Sequence, residues 1–410
     1  MLQYIIWIIS FITLWLIIVW LNFIYTKEET TKTKKQPKIT FAIPAYNEEK
    51  TIIKTIKSLL KLNYPAEKKE IIIVNDGSTD KTEQTVKKFI KEKENIILIN
   101  QKNNGKASAI NTALKQATGQ LFAVLDADSY VEKESINHIL PHFENKKTGA
   151  VISRIKIDKP KKPLEKLQYF EYIMSNMLRK IMTNFGTLSM TPGVLSVYNT
   201  ATLRKAGGFS KDKNNMTEDL EIALRLKDKG YNIYMEPKAI TYTKAPNTLK
   251  SLWQQRIRWS RGYIYNHIKY KHMFFSKKHG IFGIFQLPIN ALAIILLVIN
   301  MSIITYNLSN NLFQFILRSL TIHNYFITRI TDWPTLKQLI LARNVQISIP
   351  LTIAFILSLY LMTFAMKYFK ESIKKNYLRA IAYMIIMPYF TAANWITSIY
   401  KEIKRSKRKW

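Results

Sequence analysis

Four short patterns in the chain carry residue types that could do chemistry together. Pro44-Ala45-Tyr46-Asn47-Glu48 follows one apolar run. Asn75-Asp76-Gly77-Ser78 follows a second, and Asp126-Ala127-Asp128 a third. A single aspartate after a strand is an ordinary turn residue or helix cap. Three polar strand ends, two of them acidic, imply a shared site. Asp126 and Asp128 stand two apart, so an extended segment would turn both carboxylates one way. Hard oxygen ligands at that spacing suit Mg²⁺ or Mn²⁺, which complete their shell with water and phosphate oxygens. A cation-bridged diphosphate is the ligand that fits such a pair in a basic chain. The fourth pattern is Thr217-Glu218-Asp219, with Thr217 as helix cap and both acids in the first turn of a run from Ala223 to Lys229.

Beyond it lies Gln254-Gln255-Arg256-Ile257-Arg258-Trp259-Ser260-Arg261-Gly262. Arg256, Arg258 and Arg261 are forked donors matched to phosphate. Trp253 and Trp259 offer flat faces that stack on sugars. The same segment also reads as a basic amphipathic helix at a membrane interface. His138 and His142 have a zinc-like spacing, but no third ligand or adjacent catalytic Glu accompanies them. Asn103-Asn104-Gly105-Lys106 is not a P-loop, because the leading Gly is missing and Ala107 follows the lysine. Lys106 remains available to a phosphate or a base.

These residues need a scaffold, and residues 37–275 supply alternating strands and helices. Strands are expected at 38–44, 70–74, 96–99 and 121–125, with helices at 80–93 and 106–117. A further helix is expected after Asn47, which reads as its cap with Glu48 and Glu49 in the first turn. Such alternation predicts an α/β domain with a mostly parallel sheet covered on both faces. In such sheets ligands bind beyond the carboxyl ends of the strands, where the patterns above lie.

Apolar segments flank this domain. Residues 1–26 carry no charged side chain and predict an N-terminal membrane helix; no basic leader or cleavage site marks a signal peptide. Lys27, Lys32, Lys34, Lys35 and Lys38 follow, placing that side in the cytoplasm. The region 280–400 predicts spans near 284–304, 345–366 and 380–400, with 306–343 ambiguous, and 401–410 is a basic tail. The topology rules conflict there. Three C-terminal crossings put the basic tail outside, whereas four put the basic loop 367–379 outside.

The 410 residues are 47% hydrophobic, which excludes wholesale disorder and allows two or three domains. Lys plus Arg is 62 against 28 Asp plus Glu, a net +34. That charge suits nucleic acid, anionic lipid or an anionic substrate. The basic clusters flank apolar spans and no nucleic-acid-binding signature accompanies them, so lipid headgroups and the substrate are the expected partners. The absence of cysteine excludes disulfides, thiol catalysis and Cys-ligated zinc.

In order, the patterns are Pro-x-Tyr-Asn-Glu, Asp76, Asp126-x-Asp128, Thr217-Glu218-Asp219 and Gln255-x-x-Arg258-Trp259. This set resembles the processive family 2 glycosyltransferases over residues 38–262. The layout of anchor, cytosolic domain and C-terminal spans looks closest to the poly-β-1,6-N-acetylglucosamine synthases of biofilm and intercellular adhesion. The resemblance implies a GT-A fold (Rossmann-like) with interfacial helices, transmembrane helices, and an Mg²⁺- or Mn²⁺-dependent UDP-sugar site. It implies a multi-pass plasma-membrane enzyme with a cytoplasmic catalytic domain. Polymerisation of N-acetylglucosamine from UDP-N-acetylglucosamine onto a growing polysaccharide is the implied reaction. Ala45, Tyr46 and Glu48 would line the uridine pocket, and Asp76 would meet the base or ribose. Lys106, Asp126 and Asp128 would hold the donor, with Asp128 the metal ligand. Asp219, beside Glu218, would be the general base. Arg258 would contact the pyrophosphate, and Gln255 and Trp259 the acceptor. Two related activities stay open: single transfer to a polyprenyl phosphate, and a hyaluronan- or chitin-type linkage. A non-enzymatic membrane scaffold predicts no reason for acids at strand ends. Cellulose and hyaluronan synthases usually have more membrane helices than this chain, so a small accessory membrane subunit is expected for export.

Overall fold

The computed structural model describes residues 2–22, 33, 35–91, 93, 95–332, 345–372 and 377–408. Lys27, Lys32, Lys34 and the C-terminal part of the ambiguous 306–343 region lie outside them. So do residues 373–376 of the loop expected at 367–379 and the last two residues of the tail.

One eight-stranded sheet organises the domain, in the order β3-β2-β1-β4-β7-β6-β8-β5. Its strands are β1 Ile39–Ala45, β2 Lys69–Asp76, β3 Ile96–Gln101, β4 Leu121–Leu125, β5 Tyr130–Val131, β6 Thr148–Ile157, β7 Val194–Asn199 and β8 Asn232–Thr243. The first four strands are parallel, as their apolar runs predict. The second half departs from the mostly parallel expectation. Strand β7 is antiparallel to both β4 and β6, and β5 to β8, while β6 and β8 run parallel. No local turn signal announces those long-range pairings.

The side-chain period of two sorts the sheet residues between two cores. Phe41, Ile43, Ile71 and Ile73 face helix α2 (Ile52–Leu60), where Ile52, Ile56 and Leu59 are buried. Ala42, Ile72, Val74, Phe122 and Val124 face α4 (Lys106–Gln116) and α6 (Pro163–Asn184) on the other side. Helix α3 (Thr82–Ile90) covers the first face through Val86 and the short α5 (Ser135–Ile139) through Ile136 and Ile139, while the short α7 (Thr200–Lys205) adds Leu203 to the other side. Helix α2 begins at Ile52, five residues after Asn47. Asn47 is not its cap. It sits at φ +56°, and its Oδ1 accepts from Thr79 N at 2.8 Å, tying the first strand-end loop to the second. Glu48 and Glu49 lie in that same laced turn, donating their backbone N–H groups to Thr82 and Asp80.

Helix α8 (Glu218–Asp228) carries the Glu218-Asp219 pair, and α9 (Leu249–Lys269) carries the arginine-tryptophan segment. Three apolar helices pack together: α1 (Leu2–Asn22), α10 (Leu287–Thr321) and α12 (Val345–Tyr368). Trp15 meets Phe285 edge-on at 6.5 Å. Asn307, Asn310 and Asn311, expected in an ambiguous stretch, continue α10, and the short α11 (Tyr325–Thr331) follows. Among the described residues, Phe282–Thr321 and Tyr377–Ile403 are long and apolar enough to cross a bilayer, and Thr352–Tyr368 is a shorter apolar helix.

The last helix, α13 (Tyr377–Ile403), is bound along its length to the sheet domain. Ahead of it, Arg154 of β6 donates to Phe369 O at 3.1 Å and pairs with Glu371, which also meets Lys156 at 2.8 Å and Tyr169 at 2.6 Å. Phe390 packs edge-on against Trp253 of α9, and Asn394 meets Ser260 at 3.0 Å. At its last turn Glu402 pairs with Arg261 of α9 at 2.5 Å, and past its end the same arginine donates to the backbone oxygens of Ser406 and Lys407.

Candidate functional site

Because β1, β2 and β4 are parallel neighbours, their C-terminal ends emerge on one edge. Pro44, Ala45, Tyr46, Glu48, Asp76, Lys106, Asp126, Ala127 and Asp128 line a cleft of about 230 Å³ there. All the donor-side residues expected from sequence are among them except Arg258. The Asp126-Ala127-Asp128 segment is a tight turn rather than an extended piece, since Ser129 N donates to Asp126 O at 3.0 Å. Both carboxylates reach the cleft nonetheless.

Asp76 is 4% exposed and accepts hydrogen bonds from Gln101 Nε2 at 2.7 Å, Asn104 N at 3.0 Å and Gly105 N at 2.9 Å. It therefore fixes the loop that launches α4. Gly105 sits at φ +86°, open to glycine at little cost, and Lys106 is the first helical residue. Its Nζ lies 2.5 Å from Asp126 Oδ1 and 3.4 Å from Glu218 Oε1. Burial disfavours the Lys106 charge, but Asp126, Glu218 and Asp219 outweigh it and raise its pKa above the ordinary lysine range.

The second half of the site comes from α8 and α9. Thr217 precedes α8 but makes no side-chain cap. Its Oγ1 instead accepts from Asn266 Nδ2 of α9 at 3.0 Å. Thr191 Oγ1 donates to Asp219 O at 2.7 Å. These contacts fix the turn that presents Glu218 and Asp219. Burial, reinforced by the neighbouring Glu218, pushes Asp219 up to about 6. Burial, reinforced by Asp126, does the same to Asp128. Arg258 is close enough to Asp219 to oppose that rise.

The other arginines of α9 serve elsewhere. Arg256 lies over the Trp259 ring at 4.2 Å and pairs with Glu171 of α6 at 2.7 Å. Arg261 holds the chain's end, as described above. Gln255 accepts from Arg256 at 2.6 Å, and Trp259 keeps 38% of its surface exposed. His142 meets Glu236 at 2.9 Å.

Sequence reasoning missed two contributors. A Cβ on Gly193 would stand 2.6 Å from Asp126 Oδ1, and it would also strike the Lys106 ammonium. Gly193 O accepts from Asp126 N at 2.9 Å, so this glycine forms the wall behind the ion pair. The turn sequence Thr191-Pro192-Gly193 was its only local signal. Asn266, fully buried, gives no local signal at all.

A cleft at parallel strand ends, an Asp-x-Asp turn and a second acid pair joined by one lysine are the setting for the family comparison. Residues 40–206 match the family model "Glycosyl transferase family 2". This segment is thus similar in sequence to the family 2 glycosyltransferases. The chain is 34% identical over 263 residues to poly-beta-1,6-N-acetyl-D-glucosamine synthase of Staphylococcus aureus strain COL, covering 62% of this chain and 63% of that protein. The synthase of the same name from Staphylococcus epidermidis is 33% identical over 226 residues, 55% of this chain and 54% of the relative. The chain thus spans less than two thirds of the curated relatives it matches. A mannosyltransferase from Pyrobaculum calidifontis, solved with GDP-Man and Mn²⁺, superposes with a TM-score of 0.62 at 18% identity, covering 99% of this chain and 98% of that one. The mixed sheet and the helices around it have a GT-A-type fold.

Proposed function

We propose that the chain is a membrane-bound inverting glycosyltransferase that polymerises N-acetylglucosamine from UDP-N-acetylglucosamine into β-1,6-linked poly-N-acetylglucosamine. The observation that carries it is Lys106, which ties Asp126 of the cleft to Glu218 beside Asp219. One lysine thereby joins a donor-binding half to a proton-accepting half. The likeness to the staphylococcal synthases supports the choice of sugar and linkage.

The donor would lie in the cleft, with Ala45, Tyr46, Glu48 and Asp76 toward the nucleoside. Asp219 takes the proton from the acceptor hydroxyl as that oxygen bonds to the anomeric carbon. The bond from that carbon to the diphosphate oxygen breaks, and its electron pair leaves with UDP. One displacement converts an α-linked donor into a β-linked product. Lys106 and Arg258 supply positive charge where the leaving group gathers negative charge. Trp259 and Gln255 would support the acceptor sugar.

The donor set fits a divalent cation. Two carboxylates share a buried cleft, and Lys106 pairs with Asp126, which leaves Asp128 as the carboxylate whose charge still needs a partner. Asp128, with Asp126, would hold Mg²⁺ or Mn²⁺. Such an ion neutralises diphosphate charge when bound.

We also infer a membrane topology of three crossings, α1, α10 and α12, with α13 lying at the interface. Arg154–Glu371, just past the end of α12, and Arg261–Glu402, in the last turn of α13, bind the chain ahead of α13 and the end of α13 to the same domain. Its free face carries Ile385, Ile386, Tyr389, Ile396, Ile399 and Ile403, suited to lipid. The basic loop and the basic tail then both face the cytoplasm, removing the conflict of charges. Three helices leave no room for a polymer path, so a small accessory membrane protein or a second copy would complete the exporter.

A panel of radiolabelled UDP-sugars on membranes containing the protein, followed by linkage analysis, tests the activity. A β-1,6-linked polymer from UDP-N-acetylglucosamine is the expected product. A single sugar on a lipid phosphate would replace this function with the single-transfer reading.

A further inference from the structure

At the opposite end of α8 from Glu218 and Asp219, three side chains converge. Asp228 is the last residue of that helix. His272 Nε2 lies 3.0 Å from Asp228 Oδ1, and His279 Nε2 lies 2.9 Å from the same oxygen. One ligand atom from each of the three falls within 4.8 Å of the others. The two histidines come from the turns linking α9 to α10, so the cluster joins the acid-bearing helix to the root of a membrane helix.

We propose that Asp228, His272 and His279 bind a late first-row divalent cation, with Zn²⁺ the occupant, distinct from any metal at Asp128. Three features favour a cation over simple side-chain pairing. The first is the position of Asp228. A carboxylate at a helix C-terminus meets the negative end of the dipole and needs compensating charge. Lys269, Lys271, Lys277 and Lys278 lie on the same segment as the histidines. Among the described residues, however, the ion-pair partners of Asp228 are two imidazoles.

The second is the donor set. Two imidazole nitrogens and one carboxylate oxygen are the ligands of three-residue zinc sites, which leave a fourth position for water. Tetrahedral ligands at about 2.0–2.1 Å from the ion lie about 3.3 Å from one another, so the observed separations of 2.9 and 3.0 Å need only a small expansion.

The third is orientation. His279 keeps 5% of its side chain exposed, and its Nδ1 lies 2.9 Å from Ser276 Oγ. Metal-bound imidazoles are held in this way by a partner on the second ring nitrogen. Gly283 packs against this turn, where a Cβ would lie 2.7 Å from Ser276 O and 3.0 Å from His279 Cβ. An ion here would clip the far end of α8 to the turns that feed α10. Leu224, Tyr270, Met273 and Phe282 form the small core beside it.

The test uses the full chain, purified in detergent with a tag lacking histidine. Metal content after Zn²⁺ loading is measured by mass spectrometry, and Co²⁺ substitution by its visible absorption. The expected result is one Zn²⁺ per chain, a raised Tm, and a Co²⁺ spectrum typical of tetrahedral nitrogen and oxygen ligands. His279→Gln and Asp228→Asn should abolish the stoichiometric binding, and Ser276→Ala should weaken it about 10–100-fold. Asp128→Ala should leave it unchanged, which separates this ion from one in the donor cleft. His272 is 54% exposed, so His272→Gln is expected to fold even if the His279 variant does not, and it too should lose the ion. Binding that persists in His272→Gln, or no stoichiometric Zn²⁺ in the unmodified chain, overturns the site.

Discussion

Gly193→Ala is the sharpest perturbation of the two-part site. The backbone at Gly193 does not require glycine, because its φ is not in the left-handed region. The whole effect is therefore steric. The added methyl would stand 2.6 and 2.9 Å from the two Asp126 oxygens and would overlap Lys106 Nζ. Ordinary contact begins near 3.4 Å, so something must move by several tenths of an ångström. The backbone is tied through the Asp126 N–Gly193 O bond of 2.9 Å, whereas the lysine end is flexible. The expected outcome is displacement of Lys106 from its 2.5 Å contact with Asp126, with the fold intact. Misplacement on this scale costs about 100-fold in turnover, roughly 2.7 kcal/mol in the barrier. UDP release at saturating donor measures it, and thermal melting checks the fold. In the double variant with Lys106→Ala the loss should be less than the sum of the two single losses, because the methyl then has no ammonium to displace and only its contact with Asp126 remains. Turnover of Gly193→Ala within threefold of the unmodified chain would refute the role given to this contact.

Asp219→Asn should retain UDP-sugar binding and lose about 10²–10⁴-fold in turnover, measured by isotope release, because the amide cannot take a proton. The base works ionised and its pKa is raised to about 6, so kcat/KM should be level above pH 6 and fall as pH drops below it; a limb near pH 4 would contradict that assignment. EDTA should abolish activity and Mg²⁺ or Mn²⁺ should restore it, with Asp128→Ala showing weaker metal-dependent UDP binding by calorimetry. The natural absence of cysteine makes single-cysteine labelling clean. A membrane-impermeant maleimide applied to intact cells should label His323→Cys but neither Ser372→Cys nor Lys404→Cys, and labelling at 404 would make α13 a crossing.

The parallel half of the sheet and the acids at its edge were legible because both are local. Five to eight apolar residues that end in Asn-Asp or Asp-x-Asp specify a buried strand and a polar exit without knowledge of any neighbour. The same locality explains the errors. Asn47 looked like a cap because cap chemistry is written in residue type, whereas its positive φ and its bond to Thr79 depend on a loop 32 residues away. The antiparallel strands β5 and β7 pair across long separations that no short pattern records. Residues 380–400 are a different case: they lack charge and are apolar enough either to cross a bilayer or to lie along α9, and composition is the same in both. Tertiary contacts bind Asn394 to Ser260 and Glu402 to Arg261. Lys106 was visible as a cation before a helix, yet its partners, Asp126 and Glu218, come from two distant turns. Sequence alone determined which residue types stand at the strand ends, because burial and turn formation are decided within a few residues. Tertiary structure alone decided which of them meet, because an ion pair needs its partners within a few ångströms, and only the folded sheet and α9 bring those turns together.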